Sequence, residues 1–448
     1  MGTSSVTQYQ SWGRYPKATP RAVVPVTWRD DLPDLGATIG SVLPYAYGRS
    51  YGDSCLNDDG TVLDTIGLNR FIAFDAETGL LRCEAGVLLA DILTAFVPRG
   101  WFLPVSPGTK FVSVAGAIAN DIHGKNHHRA GTFGRHVPRF ELVRSSGERL
   151  VCSLDDHADL YRATIGGLGL TGLITWAELR LKPITNAYID EEQIRFDSLD
   201  AFLALTAESD ATYEYTMSWA DCLHGGEGYV RGHFLRGNHN TSPELAKQPP
   251  ADKPSVGVPV NLPGALLNTW TVKAFNTAYY HRQRRTSVRK VIPYDPFFYP
   301  LDAIKDWNRM YGTGGFLQYQ CVVPFDNDNA AIKEVFTRIT RSGEGSFLVV
   351  LKTFGALPSP GMLSFPKPGV TLALDFPFHG ARTLRLLDDL DSVVRASGGA
   401  VYPAKDARMS AESFQTFFPH WRDFARFIDP QFSSDFWRRV TGTTRQDV

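Results

Sequence analysis

Three histidines stand close together in DIHGKNHH, at positions 123, 127 and 128. Histidines four residues apart can share a helix face and hold a zinc ion. Here Gly124 and Asn126 make a poor helix, and Lys125 would repel a cation. The run predicts no metal site; His127 and His128 are expected to hydrogen-bond within their own loop. Lys352 interrupts an apolar stretch, LVVLKTFG. Lysine is seldom buried without a partner, so this one either faces a pocket or marks a strand edge. Gln318 and Gln320, in FLQYQ, fall on one face of a strand. Upstream, GGLGLTGLI sets Gly167, Gly169 and Gly172 in the G-x-G-x-x-G pattern. Asp190, Glu191 and Glu192 follow about 20 residues later, the spacing of a ribose-binding acid in a nicotinamide site.

The elements flanking those glycines decide against that reading. A Rossmann loop follows a strand and opens a helix, whose N-terminus receives the pyrophosphate. Here DDHADLYRATIG, helical in composition, precedes the glycines. LITWAELRLKPI follows, with Ala177, Leu179 and Leu181 alternating with charged residues, which is the strand period. The turn is therefore expected either to bring two backbones close or to line a cofactor held by another fold. Two more small-residue runs favour the second. GRSYGD (48–53) offers backbone N–H groups in a compact turn that can cradle an anion. SPGTKFVSVAGAIANDIHG (106–124) would let a flat ligand lie on the main chain at Ser113, Ala115, Gly116, Ala117 and Ala119. Three such bends within 125 residues predict one large, phosphate-bearing cofactor.

The elements that must position these loops read as two or three domains in 448 residues. In the first 186, GLLRCEAGVLLADILTAFVPRGWFLPV reads as strand, helix, strand, and FELVRSSGERLVCS as a hairpin with Ser-Gly at its turn. From residue 187, IDEEQIRFDSLDAFLALTAES reads as strand then helix, and GFLQYQCVVP, SFLVVLKTFG and VTLALDFPF as strands of one sheet. Residues 236–264 are polar and rich in Pro and Gly, the composition of a mobile loop. The tail is helical and broken at Asp429-Pro430. Basic and acidic residues number 46 and 47, so nothing points to nucleic acid. Five scattered cysteines, with no C-x-x-C, predict free thiols. With no apolar run of membrane-spanning length, a cytoplasmic protein is expected.

In order along the chain, GRSYGD, PGTKFVSVAGAIANDIHGKNHH, GGLGLTGLI, WNRMYGTGGFLQYQCVVP, LKTFG, LSFP, DFP and YPAKDAR resemble the vanillyl-alcohol-oxidase (PCMH-type) superfamily of flavoproteins. Within it they resemble the decaprenylphosphoryl-ribose 2′-oxidases. The resemblance covers nearly the whole chain. It implies an α+β fold: a FAD-binding domain of two α+β subdomains (1–186 and 400–448) with a sheet-based substrate cap (187–399). It implies FAD held without a covalent bond, since GRSYGD has no histidine. The cofactor-binding set it implies is Gly48, Arg49, Ser50, Tyr51, Gly52, Asp53 and Ser54 at the pyrophosphate. Gly108, Ser113, Val114, Ala115, Gly116, Asn120, Asp121, Ile122, His123, Ile174 and Tyr402 line the flavin.

The implied reaction is oxidation of the 2′-hydroxyl of a polyprenyl-phosphoryl ribose to the 2′-keto sugar, with hydride transfer to flavin N5. A separate NAD(P)H-dependent reductase completes the epimerisation to the arabinose donor for cell-wall arabinan, and the lipid tail implies peripheral membrane contact. Lys405, in YPAKDAR, is the candidate for the substrate hydroxyl, with Asp406 as its orienting neighbour; it acts either as base, with its pKa shifted several units, or as a fixed charge. His123, Tyr51, Lys352 and Gln320 complete the catalytic candidates. Gln318, Trp219, Tyr311 and Ala373 are the substrate candidates. Relatives carry a cysteine at the position of Ala373, and nitroaromatic inactivators attack it. Oxidation of soluble sugar alcohols or aldonolactones is the alternative in the same fold, and a non-enzymatic carbohydrate- or lipid-binding protein is the rival from another class.

Overall fold

The computed structural model describes residues 9–38, 40–225, 229–248, 250, 256–263, 267–326 and 328–443. The N-terminal region holds two sheets. A small parallel sheet has the order Ala22–Pro25, Thr61–Asp64, Val42–Tyr45, and the GRSYGD loop follows its last-named strand. An antiparallel sheet has the order Phe71–Asp75, Leu80–Glu84, Leu173–Arg180, Arg139–Val143, Arg149–Ser153. Helix Leu89–Phe96 turns Leu89, Ile92, Leu93 and Phe96 into the core between the elements, as their helical spacing requires. The last two strands of the antiparallel sheet form the expected hairpin, with Gly147 at φ +83° closing the turn.

The run 106–124 is not the plain loop its composition suggests. Ser113 caps helix Val114–Ala119, its Oγ accepting from Gly116 N, and one cap hydrogen bond suffices to start a short helix. A further single turn, His127–Ala130, forms just beyond it despite Gly124 and Asn126.

The second region is built on one eight-stranded sheet. Its order is Ser287–Pro293, Tyr188–Phe196, Arg231–His239, Tyr215–Asp221, Val349–Phe354, Gly369–Pro377, Phe316–Pro324, Ala400–Val401. Helices Ala330–Ser342 and Ala381–Ala396 cover one face, packing Val335, Phe336, Leu387 and Leu390 against Leu351, Leu372, Leu374 and Phe376. The other face is turned to the N-terminal loops. Two boundaries differ from the sequence reading. Residues 236–239 are not loop but the end of strand Arg231–His239, and Val256–Gly257 pairs with Ile304–Lys305; residues 249, 251–255 and 264 of that expected loop lie outside the described residues. Residue 400 is not a break: Ala400–Val401 pairs with Cys321 and Val322 and extends the cap sheet. The helices that follow bury Phe414, Phe424, Phe436 and Trp437 in a core shared with the cap.

Candidate active site

Strand alternation sets a row of polar side chains on the open face of the cap sheet. On Phe316–Pro324, Leu317, Tyr319 and Cys321 enter the helix-covered core, so Gln318 and Gln320 point the other way. In register, Gln318 lies opposite Asp375 and Gln320 opposite Ala373; on the next strand Ala373 pairs with Val350 and Thr371 with Lys352. Gln318, Gln320, Val350, Lys352, Thr371 and Ala373 all line one cavity of about 340 Å³, the size range of small-molecule sites. Opposite them the same cavity is walled by the three small-residue bends: Gly48 to Tyr51 with Ser54, Gly108 with Ser113, Ala115 and Gly116, and Gly169 with Gly172 to Ile174. Bends spread over 125 residues of sequence thus converge on one cleft.

Hydrogen bonds tie the two walls together. Gln320 Nε2 donates to His123 Nε2 at 2.8 Å and to Thr371 Oγ1 at 3.4 Å. The imidazole proton therefore sits on Nδ1, which has no partner among the described residues. Tyr402 Oη donates to Asn120 O at 2.7 Å, and Tyr402 N to Gln320 O at 2.9 Å. Gln318 Nε2 donates to Asp375 Oδ1 at 2.6 Å. Lys405 lies with Nζ 3.8 Å from the centre of the Tyr51 ring, and Tyr51 N donates to Ala404 O at 2.9 Å. Gly52 permits that approach: a Cβ there would stand 1.7 Å from Asp406 O. Gly52, the second glycine of GRSYGD, is thus required by the neighbouring chain rather than by a ligand.

Burial dominates the electrostatics. It pulls Lys405 down to about 7, with Asp375 pushing the other way. Lys352 is pulled down to about 7 by burial and by the charges of Lys125 and Lys405, and it donates to Gly124 O at 3.1 Å. Lys125, which sequence reasoning treated only as a cation repeller, lines the same cavity and is pulled down to about 8 by burial. Asp375, which sequence reasoning missed, is pushed up to about 7 by burial. Its signal was present, since it falls two residues beyond Ala373 and so on the same strand face. His123 is held neutral, its pKa lowered well below the ordinary value by burial and then by Lys352, His127 and Lys405. A cavity lined by Arg49, Lys125, Lys352 and Lys405 against one carboxylate, Asp302, suits an anionic ligand.

The FAD binding domain family matches residues 35–153. Over 412 residues, 89% of each chain, the sequence is 39% identical to decaprenylphosphoryl-β-D-ribose oxidase of Mycolicibacterium smegmatis. The chain belongs to that oxidase family. It is also 34% identical over 371 residues, 79% of this chain and all of the relative, to an uncharacterized protein of Streptomyces coelicolor. It is 33% identical over 115 residues, 26% of this chain and 20% of the relative, to a putative D-arabinono-1,4-lactone oxidase of Neurospora crassa.

As a member of the oxidase family the protein is a FAD-dependent oxidoreductase, and the cleft fits the cofactor. A Cβ at Gly108 would meet nothing within 4 Å, so its main chain faces open space, whereas one at Gly116 would be crowded by Ser113 Oγ at 3.0 Å. Arg49 Nε, Ser54 Oγ and His123 Nδ1 line the cleft, buried and without partners among the described residues. Polar atoms of this kind are satisfied when a ligand arrives. Arg49 is held with its guanidinium 4.2 Å from the Trp12 ring centre; Trp12 was not anticipated.

Several expected site residues of this oxidase do not line the cleft. Gly52 packs on the Asp406 backbone as described. Asp53 is buried in a two-pronged ion pair with Arg439, at 2.8 and 2.7 Å. Val114 is fully buried in the core. Asp121 accepts from Gly134 N, Ser359 Oγ and Ser364 Oγ, joining the two domains. Trp219 donates from its indole to Phe347 O and packs on Tyr279. Tyr311 stacks on Phe316 at 4.3 Å, behind Tyr51. Asp406 accepts from Arg439 and from Met409 N and forms no hydrogen bond with Lys405. These residues build the walls: a strictly local motif match carries over framework and contact residues alike. His127 does not hydrogen-bond within its loop: neither ring nitrogen has a partner among the described residues, and the ring lies against Phe354 at 4.5 Å. His128 bonds outside its own loop, Nε2 to Tyr213 O at 3.1 Å.

Proposed function

We propose that this chain oxidises the 2′-hydroxyl of a polyprenyl-phosphoryl-β-D-ribose to the 2′-keto sugar, the first half of an epimerisation to the arabinose donor that a separate NAD(P)H-dependent reductase completes. The single observation that carries it is the row Gln318, Gln320, Lys352 and Lys405 facing the FAD loops across one cleft, with Gln318 held by its bond to Asp375. FAD, when bound, supplies the acceptor for the two electrons lost by the carbinol carbon. The GRSYGD loop and the 106–124 run hold it without a covalent bond. Gln318 and Gln320 orient the ribose through hydrogen bonds to its hydroxyls. Lys405, half neutral near pH 7 because it is buried, takes the hydroxyl proton. His123, neutral and donating from Nδ1, fixes the sugar against that wall. Lys125 and Lys352 meet the phosphoryl charge.

The deciding experiment is an anaerobic titration of the yellow holoprotein. Prenyl-phosphoryl ribose is expected to bleach the flavin, while free sugar alcohols and aldonolactones are expected to leave it oxidised. Bleaching by the soluble sugars instead would move the protein to the alternative substrate class, and a colourless protein would end the enzymatic reading.

A further expected result concerns Ala373, which sits between Gln320 and Val350 on the open sheet face. No thiol stands there. The cysteine that does line the cleft, Cys55, is pushed up to about 12 by burial and by Asp53, so it is not a thiolate nucleophile near neutrality. Intact-mass measurement after turnover with a nitroaromatic inactivator should find no adduct on wild type and an adduct on Ala373→Cys. An adduct mapped to this cleft of the wild type would refute the placement.

A further inference from the structure

Gln320 gives His123 the N–H end of its amide rather than the oxygen, and the pair alone does not explain why. The two side chains are buried, with Gln320 Nε2 and His123 Nε2 2.8 Å apart. Burial and the charges of Lys352, His127 and Lys405 keep the imidazole neutral, so the ring has one N–H and one bare nitrogen. With the proton on Nδ1, the amide donates to bare Nε2. With the proton on Nε2, the ring donates to an amide turned over to present its oxygen. Within the pair each arrangement makes one hydrogen bond, and neither is preferred.

Thr371 breaks the tie. Its Oγ1 donates to Cys321 O at 2.8 Å; a carbonyl only accepts, so the one hydroxyl proton is spent there. What remains of that oxygen is an acceptor, and it stands 3.4 Å from Gln320 Nε2. Turning the amide over would set oxygen against oxygen in a buried place, where an unmatched acceptor is costly. The consequence reaches the ligand side. With Nε2 engaged by both His123 and Thr371, Gln320 Oε1 has no partner among the described residues, and the side chain lines the cleft. Gln318, on the same sheet face, likewise spends its Nε2 on the protein, donating to Asp375 Oδ1 at 2.6 Å.

We propose that Thr371 is a positioning residue that holds the His123 proton on Nδ1 and turns the oxygen of Gln320 to the cleft, so that this point takes a hydroxyl donor and rejects an acceptor-only group. The hydroxyl concerned is the ribose 3′-hydroxyl, neighbour of the 2′-hydroxyl that Lys405 serves. That part rests on the polyprenyl-phosphoryl ribose reading; the position of the proton does not.

The first test needs no substrate. Nitrogen-15 spectra of histidine-labelled yellow holoprotein, with the His123 signals identified by their loss in His123→Asn, should show Nδ1 protonated and Nε2 bare. Thr371→Val has nearly the same shape without the hydroxyl, and should show an Nε2-protonated form as a second population. Thr371→Ser restores the hydroxyl and should restore the wild-type pattern. Unchanged flavin absorbance shows that both variants fold. A wild-type ring protonated on Nε2, or a Thr371→Val spectrum like wild type, overturns the proposal.

The second test is anaerobic flavin reduction by a short-chain, water-soluble prenyl-phosphoryl ribose and by its 3′-deoxy-3′-fluoro analogue, whose fluorine accepts but cannot donate. In wild type and Thr371→Ser the analogue should need about tenfold more ligand for half-maximal rate than the parent. In Thr371→Val that ratio should fall to about threefold or less, with the maximal rate on the parent little changed. A ratio unaltered in Thr371→Val, or lowered equally in Thr371→Ser, overturns the specificity role. Failure of the parent compound to bleach any of the three proteins would sink the substrate reading and leave the nitrogen-15 spectra to decide the proton.

Discussion

Lys405→Ala is expected to bind FAD with an unchanged spectrum and to reduce it anaerobically about 10²- to 10⁴-fold more slowly than wild type, the range for loss of a general base. The side chain lies over the Tyr51 ring at 3.8 Å and faces the cleft rather than bulk water, so burial rather than a hydrogen bond sets its protonation. With the ammonium pulled down to about 7, the neutral, proton-accepting amine increases as pH rises through 7. The wild-type reduction rate should rise over that interval and level off above it. Asp375 opposes the shift by favouring the charged lysine, so Asp375→Asn should move the rising limb to lower pH. Lys405→Arg separates the two roles of this residue. Arginine keeps the charge but does not give up its proton, so it should be as slow as alanine. Stopped-flow flavin bleaching with saturating substrate measures all four proteins. Near-normal reduction in Lys405→Ala would remove this residue from the chemistry, and substantial activity in Lys405→Arg would make it a fixed charge.

Lys352→Met is expected to make the flavin-free protein more stable, by about 2 kcal/mol near neutral pH, a gain that calorimetry would read as a melting temperature several degrees higher. The lysine is pulled from 10.5 to about 7 by burial and by Lys125 and Lys405. At about 1.4 kcal/mol per unit, keeping it charged in the fold costs on the order of 5 kcal/mol. Water in the cleft screens part of that cost, and losing the bond to Gly124 O offsets about 1 kcal/mol more. The folded pKa lies below the unfolded one. The cost is therefore fully present below about pH 7, fades as pH rises toward ~10.4, and is gone where both states are neutral. The advantage of methionine should shrink along the same course. The same variant should bind an anionic substrate more weakly, because the cost is what the cleft carries in order to meet a charge. A variant no more stable than wild type at any pH would mean that Lys352 is not confined as its place in the cleft requires.

How much of this was readable from the chain alone can be traced through single residues. The alternation in FLQYQ and in VTLALDFP determined which side chains share a sheet face, because successive strand residues point to opposite sides. The glycine bends, the amphipathic helix Leu89–Phe96, and the helix-turn-strand order around Gly167 to Gly172 were local matters of the same kind. They were enough to indicate one large, phosphate-bearing cofactor, and the resemblance of the ordered motifs to a known family added the flavoprotein fold and FAD. Sequence by itself did not separate Tyr51 from Asp53, or His123 from Asp121. Neighbours within one motif differ only in which side of a bend they occupy, and that depends on what packs behind: Arg439 claims Asp53, and Ser359 and Ser364 claim Asp121. Likewise only the fold placed Lys125 and Lys352 around one cleft, set Asp375 against Gln318 and left Trp270 in solvent. Those outcomes come from long-range register and from burial, which set both a lysine's proton affinity and a tryptophan's exposure, and neither quantity is a property of the residue or its sequence neighbours.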